Sequence, residues 1–198
     1  MPRRVYTRQG DQGQTGIAGG ARVDKDDPRP RAMGDLDEVN ATIGYLRAQL
    51  DGEHAWQESL HKIQKELMDA MAHLAKPGAI DKPVRAPLPE DGARWTEAWM
   101  DAIEKKLETA SEYFLLPGGN EVSALCHMVR AQLRRAERSI VTLHKIDPVP
   151  ACILQYVNRL SDLFFKLSRE AMARGGVSEH RWNLFRDNRA NNKANDAD

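Results

Sequence analysis

The stretch Val122–Leu143, VSALCHMVRAQLRRAERSIVTL, carries two patterns at once. Val122, Cys126, Val129, Leu133, Ala136, Ile140 and Leu143 recur at spacings of three and four, the period at which side chains share one helix face. Beside that seam Arg130, Arg134 and Arg138 recur every four residues, with Arg135 next to them and Glu137 offsetting part of the charge. An apolar seam of this length requires other helices to cover it. Like charges one turn apart cost an isolated helix a few tenths of a kcal/mol per pair, so the arginines need an anionic counterpart. That counterpart is either a set of intramolecular carboxylates or a bound anion.

Working outward, the same period recurs along the chain. Leu36, Val39, Ile43, Leu46 and Leu50 form one stripe, and Trp56, Leu60, Ile63, Leu67, Ala70 and Leu74 form a second. A third helix is expected from about Trp95 to Glu112, with Trp95, Trp99, Ile103 and Leu107 inward. The last, entered through Asp147-Pro148 and ended by Gly175-Gly176, carries Ile153, Val157, Leu160, Phe164, Leu167 and Ala171. Pro77–Pro89, with four prolines, and Pro117-Gly118-Gly119 are breaks. Five helices with no strand pattern specify an all-α antiparallel five-helix bundle. The bundle spans residues 1–186, with residues 1–34 as an N-terminal glycine-rich loop, and the Asn-, Asp- and Ala-rich segment 187–198 reads as a disordered tail.

The totals narrow the function. Apolar residues make up 41% and charged residues 29% of 198, enough for a core. With 29 basic and 29 acidic side chains the net charge is zero, which argues against a general nucleic-acid binder. Cys126 and Cys152 form neither a disulfide framework nor a zinc pattern and read as small buried side chains. No apolar run approaches the roughly 20 residues that span a bilayer, and no presequence pattern is visible. A cytoplasmic location is the default expectation.

Thr7-Arg8-Gln9-Gly10-Asp11-Gln12-Gly13-Gln14-Thr15-Gly16 has the composition of a phosphate cradle. Glycines let successive backbone N–H groups converge on an anion, and the Thr7 and Thr15 hydroxyls and the Lys25 ammonium add donors. It lacks both the Gly-Lys-Ser/Thr of a Walker loop and the preceding strand of a dinucleotide fingerprint. A flexible N-terminal arm fits the same composition. Asp37 lies at the edge of the first seam, where a carboxylate needs a cationic partner. Asn158 and Asp162 flank the last seam, and the Asn158 amide either caps a chain end or reads a ligand. Glu58 and His61 are one Glu-x-x-His pair, and a di-iron bundle needs two, so no metal site is assigned to protein side chains.

Together these motifs resemble the PduO-type ATP:cob(I)alamin adenosyltransferases over roughly residues 5–182. The carriers are Tyr6–Thr15, Arg22–Pro28, Gly34–Asn40, Phe114–Gly119, Arg130–Arg138 and Asn158–Phe164. The resemblance implies transfer of the adenosyl group of ATP to a reduced corrinoid, with Mg²⁺ accompanying the nucleotide. It implies that Thr7, Arg8, Gln9, Gly10, Thr15, Gly16 and Lys25 wrap the triphosphate, and that Arg134, Arg135, Glu137, Arg138 and Asn158 also contact ATP. It further implies an Asp37–Arg130 ion pair between neighbouring subunits, Phe114 closing the lower face of the corrin ring, and a homotrimer with sites at subunit interfaces. A corrinoid or flavin reductase and an adenosylcobalamin-dependent client enzyme are the implied partners. Two rival readings use the same residues: a nucleotide-gated corrinoid escort, and a structural bundle whose arginines only form salt bridges.

Overall fold

The computed structural model describes residues 6–82, 84–107 and 114–182. Five helices make up most of it: α1 Pro28–Gln49, α2 Gln57–Leu74, α3 Gly92–Glu104, α4 Glu121–His144 and α5 Ala151–Arg174. Cross-helix ties give their directions. Asp35 meets Ser139 and Glu38 meets Gln132, Asn40 meets Gln64 and Arg47 meets Gln57, and Glu137 meets Asn158 and Asn120 meets Ala171, so α1 runs antiparallel to α4 and α2, and α4 antiparallel to α5. Glu97–Arg159 and Glu104–Lys166 advance together, so α3 lies parallel to α5. Consecutive helices therefore alternate in direction throughout, as the seams required.

All but two members of the four complete seams lie in one core. Leu36, Val39, Ile43, Leu46, Leu60, Ile63, Leu67, Leu133, Ile140, Ile153, Leu160 and Phe164 are fully buried, while Leu50 and Val122 pack against the core half-buried. At about 1.5–3 kcal/mol for each large aliphatic side chain, this burial dominates the repulsion among the arginines. Cys126 is buried as expected, whereas Cys152 is half-buried. No helix among the described residues is long and apolar enough to cross a membrane.

Three expectations need correction. Residues 28–34 belong to α1 and not to the loop: the Asp27 carboxylate accepts from the Arg29 N–H at 2.8 Å, and prolines occupy a first turn whose N–H groups have no helical partner. α3 starts at Gly92 and ends at Glu104, short of Glu112, with residues 108–113 outside the described ones. Two short antiparallel pairs also exist, β1 Gln14–Gly16 with β2 Arg22–Asp24, and β3 Phe114–Leu115 with β4 Arg181–Trp182. Runs of two or three residues carry no detectable period. The expected tail at 187–198 lies outside the described residues.

Gly92 fixes where α3 begins. A Cβ there would stand 2.6 Å from Cδ2 of Tyr156, which is wholly buried. Gly92→Ala is expected to cost about 1–3 kcal/mol, read as a lowered urea midpoint.

Candidate functional site

The glycine-rich segment folds into a hairpin with a shaped mouth. Gly13 takes a positive φ of 83°, its N–H reaches the Gly10 carbonyl at 3.2 Å, and its own carbonyl accepts from the Lys25 N–H at 2.8 Å. Arg22 donates across the fold to the carbonyls of Gln9 at 2.5 Å and Gln14 at 3.3 Å. The Lys25 ammonium lies over Gly10, 3.3 Å from where a Cβ would stand, so glycine leaves room for the cation at this position. Thr7, Arg8, Gln9 and Gly16 are exposed around it, and Thr15 is half-buried in β1. The Lys25 side chain is left exposed there, as a cation for an anion to meet.

The arginines of α4 separate into two groups. Arg135 donates through Nε to Asp35 at 3.1 Å and through Nη2 to Glu38, while Ser139 and Gln132 bond the same two carboxylates at 2.5 and 3.1 Å. It ties α1 to α4, and its guanidinium is already engaged. Arg134 and Arg138 are exposed, and among the described residues neither has a carboxylate partner; Arg138 donates only to the Arg134 carbonyl, at 2.9 Å. A cleft of about 340 Å³ beside Arg138 is lined by Asp26, Arg31, Asp35, Arg135, Arg138 and Ser139. Arg31, Arg138 and the adjoining N-terminus of α1 favour an anion there, against the carboxylates of Asp26 and Asp35.

Asp37 and Arg130 do not meet within the chain. Asp37 is exposed with no side-chain hydrogen bond among the described residues, and the Arg130 Nε is buried without a partner. Burial and the Arg134 charge lower the Arg130 pKa from its ordinary value. One turn earlier His127 is buried against Phe165, its Nδ1 likewise unpaired, and burial followed by the Arg130 charge lowers its pKa, favouring the neutral ring. Nothing in the sequence marks His127, which belongs to no motif and no metal-ligand spacing. Asn158 bridges to the site from α5, donating to Glu137 at 2.9 Å and accepting from Arg159 at 2.8 Å.

Phe114 sits apart from these groups, near the start of α4. It is 79% exposed and pairs across the β3–β4 ladder with Trp182, which sequence reading also missed. With Leu115 and Leu116 they line an apolar hollow of about 280 Å³ that shares no residue with the arginine cleft. An exposed aromatic of this kind marks a surface that receives an apolar partner.

Comparison with known proteins follows the same lines. The family model for cobalamin adenosyltransferase matches residues 5–171. The corrinoid adenosyltransferase of Bacillus subtilis (strain 168) is 37% identical over 179 residues, 89% of this chain and 90% of that protein. That of Mycobacterium tuberculosis (strain ATCC 25618 / H37Rv) is 41% identical over 178 residues, 88% and 91% of the two chains. The fold superposes with a TM-score of 0.85 on a variant PduO-type ATP:corrinoid adenosyltransferase from Lactobacillus reuteri complexed with cobalamin and ATP, at 31% identity over 91% of this chain and 99% of that one. A second variant of that enzyme, complexed with ATP, matches with a TM-score of 0.82 at 32% identity over 90% of this chain and all of the other. With the family model spanning most of the chain and the helices matching, this protein belongs to the cobalamin adenosyltransferase family, in its PduO-type branch.

Proposed function

We propose that the chain transfers the 5′-deoxyadenosyl group of ATP to the cobalt of a reduced corrinoid, at a site that two copies of the chain complete. The transferase activity follows from the family; the observation that carries the placement is the pair of unpartnered charges, Asp37 and Arg130. A buried guanidinium nitrogen without an acceptor costs about 1–3 kcal/mol, so the fold calls for a carboxylate from outside the chain. Asp37 of a neighbouring copy supplies it, and a closed ring of three copies repeats the contact.

In this reading Thr7, Arg8, Gln9, Gly10, Thr15, Gly16 and Lys25 hold the triphosphate from one side. Arg134 and Arg138 hold it from the other, with Glu137 and Asn158 orienting the nucleoside. Arg135 belongs to the same segment through the ion pairs that set the helix. The corrinoid is a substrate: its cob(I)alamin cobalt attacks the ribose 5′ carbon in line, the cobalt–carbon bond forms, and the C5′–O bond breaks with its electron pair leaving on triphosphate. The nucleophile needs no general base. The protein places the reacting carbon and stabilises charge growing on the leaving group.

Mg²⁺ bound through the phosphate oxygens of the nucleotide and water would neutralise charge on the leaving group. Phe114, with Trp182 and Leu116 beside it, gives the lower corrin face an apolar cover. Exclusion of the axial base and of water there eases reduction of cob(II)alamin to the nucleophile. A corrinoid or flavin reductase supplies the electron and an adenosylcobalamin-dependent enzyme receives the product.

The direct test mixes purified protein with ATP, Mg²⁺ and reduced cob(I)alamin without oxygen. Light-sensitive adenosylcobalamin with one triphosphate per product is expected; ATP binding without product would favour the escort reading. Phe114→Ala is expected to impair turnover from cob(II)alamin far more than ATP binding, and equal losses in both assays would remove it from the corrinoid face. Arg134→Ala should raise the KM for ATP roughly 10- to 100-fold with stability unchanged within about 0.5 kcal/mol. Arg135→Ala should instead lower stability by about 1 kcal/mol in urea titrations, because it releases α1 from α4.

A further inference from the structure

The hairpin that holds the triphosphate in the proposed function is too small to keep its own position, and its attachment runs through a residue no motif singled out. Two points join it to the bundle. At its tip the Ala18 N–H donates to the Ala75 carbonyl at 3.0 Å. At its base the Asp24 carbonyl accepts from the Asp27 N–H at 3.0 Å, and the Asp27 carboxylate caps α1 through the Arg29 N–H at 2.8 Å. Both points lead to the C-terminus of α2, because the Arg29 guanidinium turns inward and donates to the Leu74 carbonyl. Carbonyls at a helix end lack intrahelical donors, and a cation there also meets the negative end of the helix dipole.

The same guanidinium donates to the Asp147 carboxylate in the α4–α5 connection, which also accepts the Gly78 N–H at 2.8 Å. Arg29 is only 7% exposed, and a buried ion pair persists where further hydrogen bonds satisfy its atoms, as these do. The Arg29–Asp147 pair thus joins the start of α1, the end of α2, the Pro77–Pro89 connection and the α4–α5 turn. None of those contacts is with the arginine cleft or the hairpin mouth.

We propose that Arg29, locked by Asp147, is a positioning residue for ATP: it holds the hairpin at the junction of α1 and α2 in the pose that receives the triphosphate, without touching substrate. This rests on the reading of the hairpin as the triphosphate holder. It explains why a buried ion pair sits at the base of a surface loop where apolar packing would serve stability equally well.

The test compares Arg29→Ala, Arg29→Lys and Asp147→Asn in the full chain, by steady-state kinetics and by hydrogen exchange of residues 14–24. Asp147→Asn and Arg29→Ala are expected to raise the KM for ATP roughly 5- to 20-fold, with kcat and the corrinoid KM within about twofold. Exchange in the hairpin should quicken while α4 and α5 stay protected, and Arg29→Lys should recover part of the ATP affinity. If Arg29→Ala does not fold, the two milder variants carry the comparison. Unchanged hairpin exchange and an unchanged KM for ATP, even with a lower melting temperature, would make Arg29 a stability residue only and overturn the proposal. Faster exchange with an unchanged KM for ATP would also overturn it, by removing the hairpin from the triphosphate site.

Discussion

The structure depends on α4 burying one face between α1 and α5. Cys126, Val129, Leu133, Ala136 and Ile140 are fully buried there, and at 100° per residue their burial dictates where every other side chain of the helix points. Arg135 is turned toward α1 and meets Asp35 and Glu38; Glu137 is turned toward α5 and meets Asn158. Arg134 and Arg138 are left on the exposed edge. Hydrophobic burial of a few kcal/mol per seam residue outweighs the tenths of a kcal/mol lost to like charges, so the fold can keep a cationic edge on its surface.

That same constraint leaves two charges apart. Arg130 is drawn partly into the interior by the helix it sits on, with its Nε unpartnered, while α1 presents Asp37 to solvent. The apolar hollow around Phe114 lies toward the opposite end of α4 from Arg138. In the proposed two-chain site the Arg130 charge would be matched by Asp37 of a neighbouring copy, whereas an apolar residue at 130 would spare the unpaired charge and lose that contact.

The helices were legible because each buries a stripe whose period survives in the sequence. What joins them was not. Arg29 and Asp147 are 118 positions apart, Arg135 and Asp35 are 100 apart, and pairing over such separations leaves no local pattern. Arg134 and Arg135 read alike in one dimension, although the helix turn makes one free and the other a tie. The start of α1 was hidden because proline breaks a helix interior yet suits a first turn, which needs no N–H at those positions. The family was legible as a combination of motifs; the hairpin's anchorage and the Phe114–Trp182 pairing became visible only in three dimensions.

The central claim is that each site is built from two copies of the chain. The most direct measurement mixes Asp37→Ala protein with Arg130→Ala protein, lets subunits exchange, and assays adenosylcobalamin formation against each variant alone. In a mixed ring some contacts join an intact Asp37 on one copy to an intact Arg130 on another, so activity should rise well above that of either parent. Activity that stays at the parental level, with exchange of subunits verified, would contradict a shared site and place both residues in the same chain's chemistry.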